Sequence, residues 1–327
     1  MRNLLALQLL LFTFLIPILG IAQFNWVKMD TGYGAMPAGA ALFYTNDSLD
    51  GKPNKAFYCK VPIQHKGFVF STQVGGGKRF TPSEYYQQND QPFLVVNTTF
   101  FEFVHNSNLN AVVQDGRLMA YNVHSLPGKG KDTFTYRHAF AGAIGISKNR
   151  KADIAWLYTD SSRKFPLASQ QVIPFFKDSL AQVSLAALRT KHHLKKWKMQ
   201  SAVAGGPVLL QDGKIAITNN EEIRFPGNQI NDKHPRTAMG YTANGDLIVM
   251  VVEGRNPGIA EGASLVQLAR LLQSVGCIEA LNLDGGGSSS LLINGKETIK
   301  PSDKTGQRPV PAVWIISSPK QGQKRQE

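Results

Sequence analysis

Asp284 stands at the end of an apolar run and before three glycines and three serines, in the order Asn282-Leu283-Asp284-Gly285-Gly286-Gly287-Ser288-Ser289-Ser290. Glycine loses more backbone freedom on folding than any other residue, so three in succession after a carboxylate call for a reason. Glycines let a chain approach a ligand closely and turn its amides toward an anion, and serine hydroxyls add donors. By itself the segment is read more economically as a tight turn with a capping aspartate. Neither the spacing of a dinucleotide fingerprint nor the Lys-Ser/Thr of a phosphate loop is present. Two further blocks lie in the same half of the chain. His234-Pro235-Arg236-Thr237-Ala238-Met239-Gly240 sets an arginine just before a strand, and Val251-Val252-Glu253-Gly254-Arg255 sets Glu253 and Arg255 at the end of the next. Arginine suits a bidentate grip on phosphate, although each block alone also fits a surface ion pair.

These residues need strands to carry them. Asp115-Gly116, Asp212-Gly213, Asn244-Gly245 and Asn294-Gly295 each adjoin short apolar runs. Such pairs accept the positive φ values of two-residue hairpins, so four of them predict adjacent antiparallel strands. Leu265, Leu268, Ala269, Leu272 and Val275 recur at spacings of three and four before Gly276, which predicts a helix over 264–275. That helix joins a strand at Ile248–Val252 to one ending at Leu283, a strand–helix–strand order that places sites at strand ends. A weaker helix is expected over Leu180 to Trp197. Residues 24–55 and 124–135 read as loop-rich. The expectation is an α+β fold: a mixed, mainly antiparallel sheet with packed helices in a single catalytic domain over residues 23–318.

A positive start, an apolar run from Leu4 to Ile21 and the small residues Gly20 and Ala22 describe a cleavable export signal over residues 1–22. The chain is therefore expected to be secreted or periplasmic, with no membrane span after cleavage, and residues 319–327 are expected to form a disordered tail. Two cysteines, Cys59 and Cys277, exclude a disulfide scaffold but leave one bridge or two buried thiols open. The formal charge of +13 favours anionic partners, and part of it is a solubilising surface. Nucleic acid fits poorly, because the basic residues show no interleaving with aromatics.

Taken together, the blocks resemble the phosphodiester glycosidase family in order and wording. The matching segments are Asn97-Thr98-Thr99-Phe100-Phe101-Glu102, Ala204-Gly205-Gly206-Pro207-Val208-Leu209-Leu210, His234 to Gly240, Val252 to Arg255, Leu281 to Ser290, and Arg308-Pro309-Val310. They extend over roughly residues 90–317. Two departures stand out: the family has Asn-Gly-Gly at Asn97-Thr98-Thr99, and Asp-Gly-Arg at Glu253-Gly254-Arg255. Either reshapes the pocket or signals a different substrate.

The resemblance implies hydrolysis of a sugar-1-phosphodiester, or of a related glycosidic bond in an anionic glycan, through attack at the anomeric carbon. Asp284 and Glu253 would be the catalytic carboxyl groups. Arg236, Arg255 and the amides of Gly285, Gly286, Gly287 and Ser288 would hold phosphate or sugar hydroxyls, with Asn97 and Asn282 orienting the sugar. Glu102, Gly205, Gly206, Thr237 and Ser289 complete the expected substrate-binding set. No cofactor is required, and a divalent cation at Asp284 or Glu253 stays open. Two rivals remain. One is a noncatalytic envelope protein that binds glycan through the same loop. The other is a metal-dependent phosphodiesterase, against which stands the absence of a His/Asp cluster with metal-ligand spacing.

Overall fold

The computed structural model describes residues 24–29 and 31–318, so the expected export signal and tail lie outside the described residues. Strand accounts for 38% of the described residues and helix for 13%, so the fold is richer in sheet than the α+β expectation. Among the described residues every strand pairing, in four sheets, is antiparallel. The difference arises where short strands carry no periodicity of their own. Ala41–Thr45 pairs with Ala56–Pro62 inside the stretch that reads as loop, and Ser125–Pro127 pairs with Tyr136–His138.

The largest sheet has eight strands, and its central members run in the order Ala56–Pro62, Asp246–Val252, Arg236–Thr242, Cys277–Asn282, Val208–Gln211. Both of its faces are covered. Leu247, Val249 and Val251 enter a core shared with the seven- and five-stranded sheets, where they meet Ile144, Trp156, Leu94 and Trp314. Ile248, Met250 and Val252 enter a second core under the helix Leu265–Ser274. Burial on both faces explains why this strand is an unbroken apolar run rather than an alternating one. Cys59 belongs to the first core and Cys277 to the second, so the two thiols are free and lie on opposite faces.

The helix begins on a capping box. Ser264 Oγ accepts from Gln267 N at 3.2 Å, and Gln267 Oε1 accepts from Ser264 N at 2.9 Å. Its buried Leu265, Leu268, Leu271 and Leu272 each contribute roughly 1.5–3 kcal/mol of apolar burial. The weaker helix contracts to Leu185–His192 and is followed by an edge strand at Lys195–Lys196. Three hairpin pairs, Asp115-Gly116, Asp212-Gly213 and Asn294-Gly295, have positive φ at both residues. Asn244-Gly245 differs: the reversal takes three residues between Thr242 and Asp246, with positive φ at Gly245 alone of the pair.

The arrangement of the central strands matters most for function. Arg236–Thr242 lies between Asp246–Val252 and Cys277–Asn282 and is antiparallel to both. The two outer strands are therefore parallel to each other, and the Leu265–Ser274 helix is their crossover. This brings the ends of both and the start of the middle strand to one edge of the sheet, with Arg236 opposite Val252 and Ala238 opposite Asn282. In the five-stranded sheet, the strand Leu94–Asn97 ends at the same place. Among the described residues no helix is long and apolar enough to cross a membrane.

Candidate active site

Past these strand ends the chain is held by bonds between distant segments. Leu283 N donates to Thr237 O at 2.9 Å and Asp284 N to Thr98 O at 2.8 Å, which leads the loop from one sheet to the other. The buried Asn97 fixes its course: Nδ2 donates to Asp284 O at 2.6 Å, while Oδ1 accepts from Thr237 Oγ1 at 2.8 Å and Ser290 N at 3.1 Å. Ser289 Oγ lies 3.3 Å from Thr237 Oγ1. Asn97, Thr237 and Ser289 thus position the loop, whereas the sequence places Asn97 against the sugar. Asn282 is equally internal, with Nδ2 donating to Gly206 O at 2.9 Å. Gly205 is needed for that approach, because a Cβ there would fall 2.6 Å from Asn282 O.

The glycines after Asp284 have a more specific purpose than a flexible turn. A Cβ on Gly286 would lie 3.0 Å from Arg255 Nη2, and one on Gly287 only 2.2 Å from Arg308 Nη2. Two guanidinium groups occupy the space that side chains would take. The expected cradle of amides is correspondingly reduced: Gly286 N donates to Pro235 O at 2.8 Å, and Ser288 N to Gly285 O at 3.2 Å. The groups that stand against the loop are instead the guanidinium groups of Arg255 and Arg308.

The loop opens on a pocket of about 230 Å³ lined by Asp284, Gly285, Gly286, Arg236, Arg255 and His234, with Phe100 and Phe225 as aromatic walls. Burial drives the Asp284 carboxyl up to about 7, opposed by hydrogen bonds from Ser288 and the Gly285 amide and by the charge of Arg308. Arg308 is itself anchored, with Nε donating to Asp303 Oδ2 at 2.7 Å. Arg236 is buried and donates through Nε to Ala263 O and through Nη2 to Asp232 O, both at 2.8 Å. Burial, aided by Arg255, brings it down to about 10, so it stays cationic at neutral pH. Arg255 makes no side-chain hydrogen bond or ion pair with the described residues. Burial and the two arginines hold His234 below the usual imidazole range, so it is neutral near pH 7, and its Nδ1 is buried without a partner.

Asp284, Arg236, Arg255, Gly285 and Gly286 are therefore brought together in the pocket lining. Asn97, Thr237, Ser289, Asn282, Gly205, Gly206, Gly287 and Ser288 stand behind it, and two further predicted residues face elsewhere. Glu253 is buried beside the pocket, where Oε1 accepts from Asn256 Nδ2 at 3.2 Å and Oε2 from Lys300 N at 3.1 Å, so its carboxylate faces those loops instead of Asp284. Glu102 accepts from the amides of Val104, His105 and Ser107 and closes its own surface loop. His234, Phe100, Phe225 and Arg308 join the site without having been assigned to it. His234, Phe100 and Arg308 stood inside the quoted blocks, while Phe225 comes from an irregular stretch with no sequence signal. Among the described residues no three His, Cys, Asp or Glu side chains converge as a metal site.

A phosphodiester glycosidase family model matches residues 90–317. A SPbeta prophage-derived protein of Bacillus subtilis is 39% identical over 90 residues, 28% of this chain and 14% of that protein. The N-acetylglucosamine-1-phosphodiester alpha-N-acetylglucosaminidase of Mus musculus is 31% identical over 103 residues, 29% of this chain and 20% of that enzyme. The aligned stretches thus span a fifth or less of these relatives. The solved catalytic domain of the zebrafish enzyme of that name, auto-inhibited by its pro-peptide, superposes with a TM-score of 0.59 at 17% identity, covering 91% of this chain and 89% of that one.

Proposed function

The chain belongs to the phosphodiester glycosidase family, and from that membership we propose that it is a hydrolase that cleaves a sugar-1-phosphodiester at the glycosidic bond. The observation that carries this reading is the pairing of one carboxyl group, Asp284, with the unengaged guanidinium of Arg255 and the buried guanidinium of Arg236 in a single small pocket. Cleavage at the glycosidic bond releases the phosphate as a monoester, already a stable anion, so little general-acid help is needed. Fixed cations at the departing phosphate supply the stabilisation instead. The oxocarbenium-like transition state calls for a carboxylate at the anomeric carbon, and ionised Asp284 is assigned that role. Asn97 sets its position through the Asp284 carbonyl. Glu253 supports the turn that presents Arg255, in place of the second catalytic carboxyl expected from the motif. His234 offers a neutral ring for a sugar hydroxyl, and Phe100 and Phe225 offer apolar walls for the sugar faces.

The donors around Asp284 are guanidinium and hydroxyl groups, which suit an anion better than a divalent cation, so the proposed reaction is cation-independent. Export belongs to the same proposal and rests on the pattern of residues 1–22. The test is hydrolysis of a sugar-1-phosphodiester in oxygen-18 water, with and without chelator. Label in the sugar, undiminished by chelator, is expected, together with a loss of at least about 10²-fold in kcat for Asp284→Asn. Label in the phosphate, or equal turnover by the variant, would remove Asp284 from the mechanism.

A further inference from the structure

Beside the candidate site, and sharing Phe225 with it as a wall, lies a larger cleft of about 590 Å³. Its lining includes Lys129, Arg137, Asn220 and Ile223, and no carboxylate. The first pocket, at about 230 Å³, falls below the roughly 300–1,000 Å³ of ordinary small-molecule sites. It holds little more than the reacting sugar phosphate, so whatever follows the phosphate must leave past its walls. Phe225 is one of them, packed between Phe100 at 6.1 Å and the Arg236 guanidinium at 5.8 Å, and its other side belongs to the cleft.

Three observations mark the cleft as a built anion site. Arg137 is carried by the middle strand of the three-stranded sheet, opposite Leu126 and Lys177, yet its side chain has no hydrogen bond or ion pair with the described residues and its Nε is buried without a partner. The neighbouring Lys177 is already neutralised by Asp132 at 2.7 Å, which leaves Arg137 and Lys129 as the spare cations. Ile223 is held in the left-handed region with φ of +44°, a conformation that is unfavourable for a β-branched residue and is kept only where the surroundings impose it.

The surroundings do impose it. Asn219 closes the 219–225 loop with two 2.9 Å bonds to the Phe225 backbone. Glu222, wholly buried in the same loop, accepts from Gly142 N, Val208 N, Trp156 Nε1 and Thr218 Oγ1 at 2.6–3.1 Å. The partition between pocket and cleft is thus tied to the seven-stranded sheet at Gly142 and Trp156 and to the strand Val208–Gln211, which pairs with Cys277–Asn282.

We propose that this cleft is a second anion subsite, which takes the next phosphate of a glycan whose sugars are joined through phosphodiesters. The inference rests on the cleavage reading and narrows its substrate from a single sugar phosphodiester to a chain. Arg137 provides the grip, Lys129 adds charge at the rim, and Phe225 is the surface over which the chain passes.

Two probes test it with the whole protein: a sugar-1-phosphodiester capped by a methyl group, and the same compound extended by a second phosphodiester-linked sugar. Calorimetry gives Kd and steady-state kinetics give kcat and KM, for the parent and for Lys129→Ala/Arg137→Ala. The parent is expected to bind the two-phosphate probe about tenfold more tightly than the one-phosphate probe. In the double variant that preference should vanish, while kcat and KM for the one-phosphate probe stay unchanged, which also certifies its folding. Arg137→Lys should retain part of it. Equal binding of both probes by the parent, or an undiminished preference in the double variant, would overturn the subsite. Absence of turnover on both probes, with the binding preference intact, would sink the cleavage reading and leave the subsite standing.

Discussion

Asp284 is a carboxyl group whose surroundings pull in two directions. Burial raises it to about 7, whereas Arg308, Ser288 and the Gly285 amide favour the ionised form. In the proposed role the working species is the carboxylate, so kcat/KM should rise with pH along a limb centred at about 7. A falling limb there would make Asp284 a general acid instead. The same shift has a stability signature. The folded chain holds this proton more tightly than the unfolded one, so the group's favourable contribution is full below the ordinary carboxylate range and is lost as the pH climbs through about 7. Asp284→Asn should therefore melt above the parent near pH 8 and level with it near pH 4. At this scale the motif blocks bring Asp284, Arg236 and Arg255 into one pocket. The direction of the Glu253 carboxylate is not legible, because the direction of a strand-end side chain depends on the turn that follows. Here Arg255 takes φ of +59°, and the loop Asn256–Ala260 supplies the partner for Glu253.

Elements are legible where one face of a regular repeat is buried. The Leu265–Ser274 helix shows this, with its cap at Ser264, and so do the hairpins with an Asp-Gly or Asn-Gly pair at the turn. The short strands are not legible, since two or three residues such as Lys195–Lys196 hold no period and gain their place only by pairing with an existing edge. The helix also separates support from chemistry. Its leucines pack on the face of the large sheet away from the shared core, and Leu268 is fully buried there. Leu268→Ala is expected to cost roughly 2–5 kcal/mol in denaturant unfolding while leaving KM at the parent value. A raised KM would show that the crossover helix sets the spacing of the two strand ends it connects.

For the molecule as a whole, the excess of positive charge agrees with the anionic substrate proposed above, although composition alone does not place the cations that matter. Arg137 and Lys129 lie over a hundred positions from Asp284 in the chain and meet its neighbourhood only through the three-stranded sheet and the Phe225 loop. Such distances are the reason the cleft leaves no trace in local pattern. They also bear on the order of events as the protein forms. The bond from Asn97 to the Asp284 carbonyl spans 187 positions, and that from Asp284 N to Thr98 nearly as many. Sheets joined by contacts so remote in sequence close slowly, after hairpins and helix have formed. On refolding, far-UV dichroism should recover before turnover does, and simultaneous recovery would contradict this order. A nascent chain released before Arg308 emerges lacks one of the two guanidinium groups seated on the loop, so the loop reaches its described packing only after that late residue has been made.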